Sequence, residues 1–315
     1  MRKIIALSIF SVASYQTAHA TSNCLNQFYD HAPAVLQKDT LKKNTFPLCF
    51  NGFAVTYSGL SKTPLWSAEH LTPQRLSQKI KREDNFHEET QIPIQYRSTL
   101  KDYRASGYDR GHMSPNADMP DSASQNDSFS LANMVPQAPK NNQEVWRKLE
   151  EATRAMVTKK NQDVYVVTGP IYSGSKVGTV GNGVLIPTAV YKAVYYPKTG
   201  VIGAYLAPND NSLKVQTVSV CAVEQLAGIN LFPTLDDNKK RKVYDLPLSS
   251  TTIQKTQQIS TDTQSKCAQP VSTADLQHTQ QPFGTVEKQS NTGGWLQVVK
   301  NILATLLEFI SKMLK

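Results

Sequence analysis

Residues 106–120 read SGYDRGHMSPNADMP: an acid, an arginine, a glycine and a histidine in succession, then two prolines set in a polar run. The stretch keeps neither the alternation of a strand nor the three-to-four spacing of a helix beyond a few positions. Taken alone it fits a turn that Asp109 caps and Gly111 lets bend. Its residue types also suit chemistry. An unperturbed histidine titrates at about 6.5, so His112 can act as a base near neutral pH. Arg110, two positions earlier, points to the same side if the chain is extended. Its guanidinium could then hold a phosphate oxygen pair.

A second stretch, residues 133–154, reads NMVPQAPKNNQEVWRKLEEATR. The spacing predicts a helix over 142–159, with Val145, Leu149, Ala152 and Met156 facing a core. Trp146, Glu150 and Arg154 follow Asn142 at intervals of four and fall on roughly one side. A carboxamide and a carboxylate can help hold a hard, hydrated cation such as Mg²⁺, which prefers oxygen ligands. Such a cation against phosphate would stabilise a leaving oxygen. Plainer roles also exist. Asn142 could be a helix N-cap, Glu150 and Arg154 a surface pair worth about a few tenths of a kcal/mol, and Trp146 a packing residue. His31, His70, His87 and His278 have no comparable neighbourhood and read as surface or structural.

Around these stretches the chain predicts an α+β domain over 21–248 with a mixed or antiparallel sheet. Strand candidates are 53–58, 164–171, 184–196 and 201–206, bounded by Gly, Pro and Asn turns. Strands in the second half follow one another through short connections, which favours antiparallel pairing over repeated βαβ units. Residues 249–294 are rich in Ser, Thr and Gln and read as a linker. Residues 295–315 then place a wide apolar surface opposite a polar face, as an amphipathic helix that must bury it. A membrane surface, self-association, a partner or the domain itself could cover it. Lys300 and Glu308 within the run argue against a span.

The chain of 315 residues opens with Arg2 and Lys3, an apolar run from Ile4 to Ala13, and Ala18-His19-Ala20. That pattern predicts a secretory signal peptide over 1–20, too short in its apolar part to span a bilayer. Export, to a periplasm or the exterior, is the expectation. Removing 1–20 lowers the formal charge from +9 to +7, which admits an anionic partner without requiring one. The four cysteines, Cys24, Cys49, Cys221 and Cys267, all lie beyond the signal and form no CxxC pair. An even count in an exported chain favours disulfides over zinc ligation. Of three connectivities, Cys24–Cys49 with Cys221–Cys267 is the local one.

Taken together, YDRGHMSPNADM, then NMVPQ, then NxxxWxxLExxxR resemble the DNA/RNA non-specific endonucleases, the ββα-metal (His-Me finger) nucleases that include the endonuclease G group. The resemblance runs from about Trp66 to Pro233. It includes Arg82-Glu83-Asp84-Asn85-Phe86, Asp102-Tyr103, the Thr168-Gly169-Pro170 run, and Val223 to Ile229 leading to Phe232-Pro233. It implies a ββα-metal nuclease core and a phosphodiester hydrolase acting on DNA and RNA with little sequence preference, since its contacts are to backbone phosphate. It further implies His112 as general base and Asn142 as the direct protein ligand of Mg²⁺, with Mn²⁺ able to substitute. Glu150 would act on the metal from the second shell, through water. Arg82, Arg110 and Arg154 would bind phosphate, Asn133 would position the surroundings of the histidine, and Asp109 would shape the loop. The contrasting expectation is a silent nucleic-acid-binding or adhesion module on the same fold, which would need His112 or Asn142 to be lost.

Overall fold

VYVVTGPI and AVYKAVYY each place apolar residues on both sides of an extended chain, the pattern of strands covered on both faces. In the computed structural model, which describes residues 24–174 and 177–271, they sit at the middle of the main sheet. In chain order, β1 (Thr45–Cys49), β2 (Ala54–Ser58) and β3 (Thr63–Leu71) form a meander. A single-turn helix α1 (Leu100–Tyr103), the short strand β4 (Asp109–His112) and helix α2 (Ser122–Ser128) follow. Then come β5 (Met134–Gln137) and the long helix α3 (Arg147–Lys160). Three more strands, β6 (Val164–Ile171), β7 (Ala189–Tyr196) and β8 (Val201–Pro208), lead to β9 (Gln216–Val218) and helix α4 (Val220–Ala227). The seven-stranded sheet runs β9-β8-β7-β6-β3-β2-β1 with every neighbour antiparallel. This is the α+β class with an antiparallel central sheet.

Strand parity sorts the core into two layers. Trp66, Ala68, Val167, Ala193 and Ile202 meet Phe28 and the α4 residues Val220 and Val223 on one face. Leu71, Val164, Val166, Val190, Val194 and Tyr205 meet Trp146, Leu149, Met156 and Val157 on the other. Burying each of those helix side chains stabilises the fold by roughly 1.5–3 kcal/mol. Met113 and Val135, beside and within the β4–β5 ribbon, join the same layer, so ribbon and α3 lie side by side on one face of the sheet. Helix α3 ends at Asn161, a left-handed residue with φ 47° whose N–H bonds the Val157 carbonyl.

Several elements depart from expectation. DRGH is a strand rather than a turn, paired with β5 through Arg110 opposite Pro136 and His112 opposite Met134. The run 184–196 is broken, and β7 starts at Ala189, because Pro187 has no N–H to give a ladder. The nine-residue β3 was not expected, since Ser67, Glu69 and His70 hide its pattern although Ser67 and Glu69 are buried. Within the stretch expected as a linker from 249, Gln258–Thr261 pairs with Lys242–Tyr244. Cys267 there bonds Cys221, while Cys24 bonds Cys49. Residues 1–20, expected as a signal peptide, the rest of the expected linker from 272 to 294, and 295–315, expected as an amphipathic helix, lie outside the described residues. Among the described residues no helix is long and apolar enough to cross a membrane.

Candidate active site

The β4–β5 ribbon carries the first half of the site. Its extended backbone puts Arg110 and His112 on one side, and both line a cavity of about 980 Å³. Gly111 faces away against Gln137, where an added Cβ would stand 2.6 Å from the Gln137 Cβ, so glycine lets the two strands close here. Arg110 stacks on Phe86, its Cζ 3.8 Å from the ring centroid. The imidazole of His112 lies 5.7 Å from the Phe86 ring and 5.0 Å from Phe129, edge to face with the latter. Arg82 also lies toward Phe129, at 5.3 Å, and pairs with Asp84 at 2.6 Å. That pair is exposed on both sides, so it contributes little to stability.

Helix α3 brings the second half. Its entry, Asn141–Trp146, is a wide π-helical turn rather than the α-helical start expected at 142. Asn142 is therefore not an N-cap. Its Nδ2 donates to the Asp109 carboxylate at 2.9 Å, and Gln143 Nε2 donates to the same oxygen at 2.8 Å. Asp109 thus joins ribbon to helix, a more specific role than shaping a loop. Facing Asp109 with its amide nitrogen leaves the Asn142 carboxamide oxygen without a protein hydrogen bond in the described chain. Val145, Leu149, Ala152 and Met156 are buried as the periodicity predicts, and Trp146 is a fully buried packing residue. Glu150, on the next turn, lines the cavity with Asn142.

The cavity therefore gathers Arg82, Arg110, His112, Asn142 and Glu150, together with Asp84, Tyr108 and the further arginines Arg104 and Arg147. Arg154 and Asn133 are not among its lining residues. Arg154, one turn beyond Glu150, turns to Asp118 at 2.7 Å. Asn133 is fully buried and braces the segment after His112: its Oδ1 accepts from Ser114 N–H at 2.9 Å, and its Nδ2 donates to the Ser114 and Ser128 carbonyls.

The electrostatics push the two titratable groups in opposite directions. Burial, then the charges of Arg82 and Arg110, hold His112 down to about 3, with Asp84 opposing. The ring is neutral at pH 7. Its Nε2 is closed off without a hydrogen-bond partner, so Nδ1 is the nitrogen left to meet water. Burial pushes Glu150 up to about 7, against the charges of Arg154 and Lys192. Among the described residues no three His, Cys, Asp or Glu side chains converge as a metal cage. A free carboxamide oxygen beside a carboxylate fits a cation that keeps most of its waters, as Mg²⁺ does.

Asp118, Lys192, Gln143 and the aromatic wall of Phe86 and Phe129 were not anticipated. Lys192 left a signal: it is the one charge in the apolar run AVYKAVYY, and it is buried. Asp118 left none, because its partner lies 36 residues away.

A family model described as DNA/RNA non-specific endonuclease matches residues 32–238. The mitochondrial nuclease EXOG of Xenopus laevis is 31% identical over 234 residues, covering 65% of this chain and 65% of that protein. The mitochondrial endonuclease G of Homo sapiens is 31% identical over 203 residues, covering 58% of this chain and 68% of that one. A crystal structure of the EndoG/EndoGI complex, described as showing the mechanism of EndoG inhibition, superposes with a TM-score of 0.56 at 27% identity. It covers 62% of this chain and 89% of that one. The chain thus spans just under two thirds of the length of the first of these relatives.

Proposed function

This chain belongs to the DNA/RNA non-specific endonuclease family, and we propose that it is a Mg²⁺-dependent, exported endonuclease that hydrolyses phosphodiester bonds of DNA and RNA. The observation that carries the reading is the convergence of His112, Arg82, Arg110, Asn142 and Glu150 on one cavity from two separate parts of the fold. The two disulfides support an oxidising destination.

His112 is the general base. Its neutral ring takes a proton from the attacking water through Nδ1, the nitrogen not sealed against the aromatic wall. A histidine held at about 3 is a weak base in the free protein. A bound phosphate offsets the nearby Arg82 and Arg110 charges, which raises its basicity as substrate arrives. Arg110, stacked on Phe86, presents a fixed guanidinium to a non-bridging oxygen. Arg82 reaches phosphate by exchanging its exposed Asp84 partner. Asn142 would hold the cation through its free carboxamide oxygen, with its amide nitrogen fixed by Asp109, and Glu150 would act on it through water. When bound, Mg²⁺ supplies positive charge to the phosphate and to the leaving oxygen. Arg154 adds charge from the next helical turn, and Asn133 keeps the segment after His112 in place.

Purified protein should cut both plasmid DNA and RNA with Mg²⁺, lose the activity in EDTA, and recover it when Mg²⁺ is restored. Absence of cleavage with either Mg²⁺ or Mn²⁺ would leave a silent binding module. Cleavage of one sugar type alone would narrow the substrate.

A further inference from the structure

A run of buried charged residues connects the central sheet to the site, and the mechanism above leaves most of it unused. Asp118 lies six residues after His112, in the short turn Asn116–Asp118, and is 2% exposed. Its Oδ1 accepts from Arg154 Nη1 at 2.7 Å. Its backbone carbonyl accepts from Arg75 Nε, also at 2.7 Å. Arg75 in turn donates to the His70 carbonyl at 3.0 Å and pairs with Glu69 of β3 at 3.4 Å. Lys192, on β7 and 1% exposed, donates to Thr168 of β6 at 3.0 Å.

An arrangement of this kind is costly to fold. Removing several ions from water is repaid only by close pairing and full hydrogen bonding, and well-packed apolar residues often do as well or better. Stability alone is therefore a weak reason for it, whereas a fixed guanidinium beside a reacting phosphate is a strong one. Arginine side chains are long and rich in rotamers, so an unheld Arg154, one turn beyond the cavity-lining Glu150, would have no fixed position relative to the site. Asp118 removes that freedom. It also belongs to the segment that leaves β4, so one short bond ties the loop after His112 to the helix that carries Glu150. Glu69 contributes in a second way. Burial, then the Asp118 carboxylate beside it, push its carboxyl up, against the charges of Lys192 and Arg75, which eases the repulsion between the two acids.

We propose that Asp118 is a positioning residue for the phosphodiester chemistry, fixing the Arg154 guanidinium from the loop that follows His112 while Arg75 and Glu69 hold Asp118 against the sheet. The proposal rests on the nuclease reading and adds to it a residue that touches neither substrate nor metal.

A double-mutant cycle tests it. Steady-state cleavage of a fluorogenic DNA duplex with Mg²⁺ is measured for the wild type, Asp118→Asn, Arg154→Ala and the double variant. Asp118→Asn should lower kcat by about tenfold to a hundredfold with KM changed by less than about threefold, because the interaction matters most in the transition state. Added to Arg154→Ala, the same substitution should cost almost nothing further, since its only route to the reaction is gone. A merely structural role would instead lower the active fraction equally in both backgrounds. If Asp118→Asn does not fold, Arg75→Lys loosens the same carbonyl clamp and completes the cycle, with a loss expected in the wild-type background only. Multiplicative losses, or full kcat in folded Asp118→Asn, would overturn the proposal while the nuclease reading stands. No cleavage by the wild type would overturn both.

Discussion

Glu150 sits where helix α3 meets the cavity, half-buried, with its carboxyl pushed up to about 7 by burial. Its ordinary value is about 4.5, so the folded chain binds the proton more tightly than the unfolded chain does. Below about 4.5 the group is protonated in both states and has no effect. As pH rises toward about 7, the unfolded state ionises first and folding stability falls. The full gap is worth about 3 kcal/mol. Glu150→Gln, which cannot ionise, should therefore melt higher than wild type at pH 8 and together with it at pH 4, although its activity falls. Identical melting at pH 8 would contradict the burial assigned to Glu150. Residues of this kind were legible in part. Arg110 and His112 declare themselves by adjacency, and Asn142 and Glu150 by helical spacing. The free carboxamide oxygen of Asn142 depends on Asp109, a contact across 33 residues that no local pattern records.

At the scale of elements, α3 and its π-helical entry do two jobs from adjoining sides. Trp146, Leu149 and Met156 anchor them to the sheet, and beside that buried stripe Asn142 and Glu150 line the cavity, so the single side expected for Asn142, Trp146 and Glu150 divides between core and site. Trp146 is fully enclosed at the end of the π-helical turn. Trp146→Ala should cost about 3–5 kcal/mol in urea unfolding and should blunt cleavage through displacement of Asn142. A loss below about 1 kcal/mol would mean the turn is held by something else. The helix was readable because four apolar positions kept its period. The π turn at its entry was not, since its register is set by packing and by the Asp109 contact. Likewise β3 escaped because its polar residues point into the protein, where Ser67 bonds Ser114 and Glu69 faces Arg75. An alternation rule assumes polar means outside, and a sheet with a buried charged layer breaks that assumption.

Across the whole molecule, two disulfides fasten the peripheral segments to the sheet. Cys24–Cys49 ties the start of the described chain to β1, and Cys221–Cys267 joins α4 to a segment beyond the nuclease strands. The second closes a separation of 46 residues, and a loop of that size is worth about 3–4 kcal/mol by its effect on the unfolded chain. Cys267→Ser should lower stability by about that amount and open residues 249–271 to protease, while leaving cleavage intact at low temperature. Unchanged protease resistance would show that the Gln258–Thr261 pairing alone retains the segment. Composition could flag this region as poor in apolar residues, but the pairing that retains it there is a long-range contact invisible to composition.

All three scales meet in one side chain. If His112 is the base, His112→Ala should fold, keep its affinity for duplex DNA in Ca²⁺ or EDTA, and cut with a kcat lower by about 10²–10⁴. A cleanly folded His112→Ala protein that cuts DNA at the wild-type rate would contradict the mechanism.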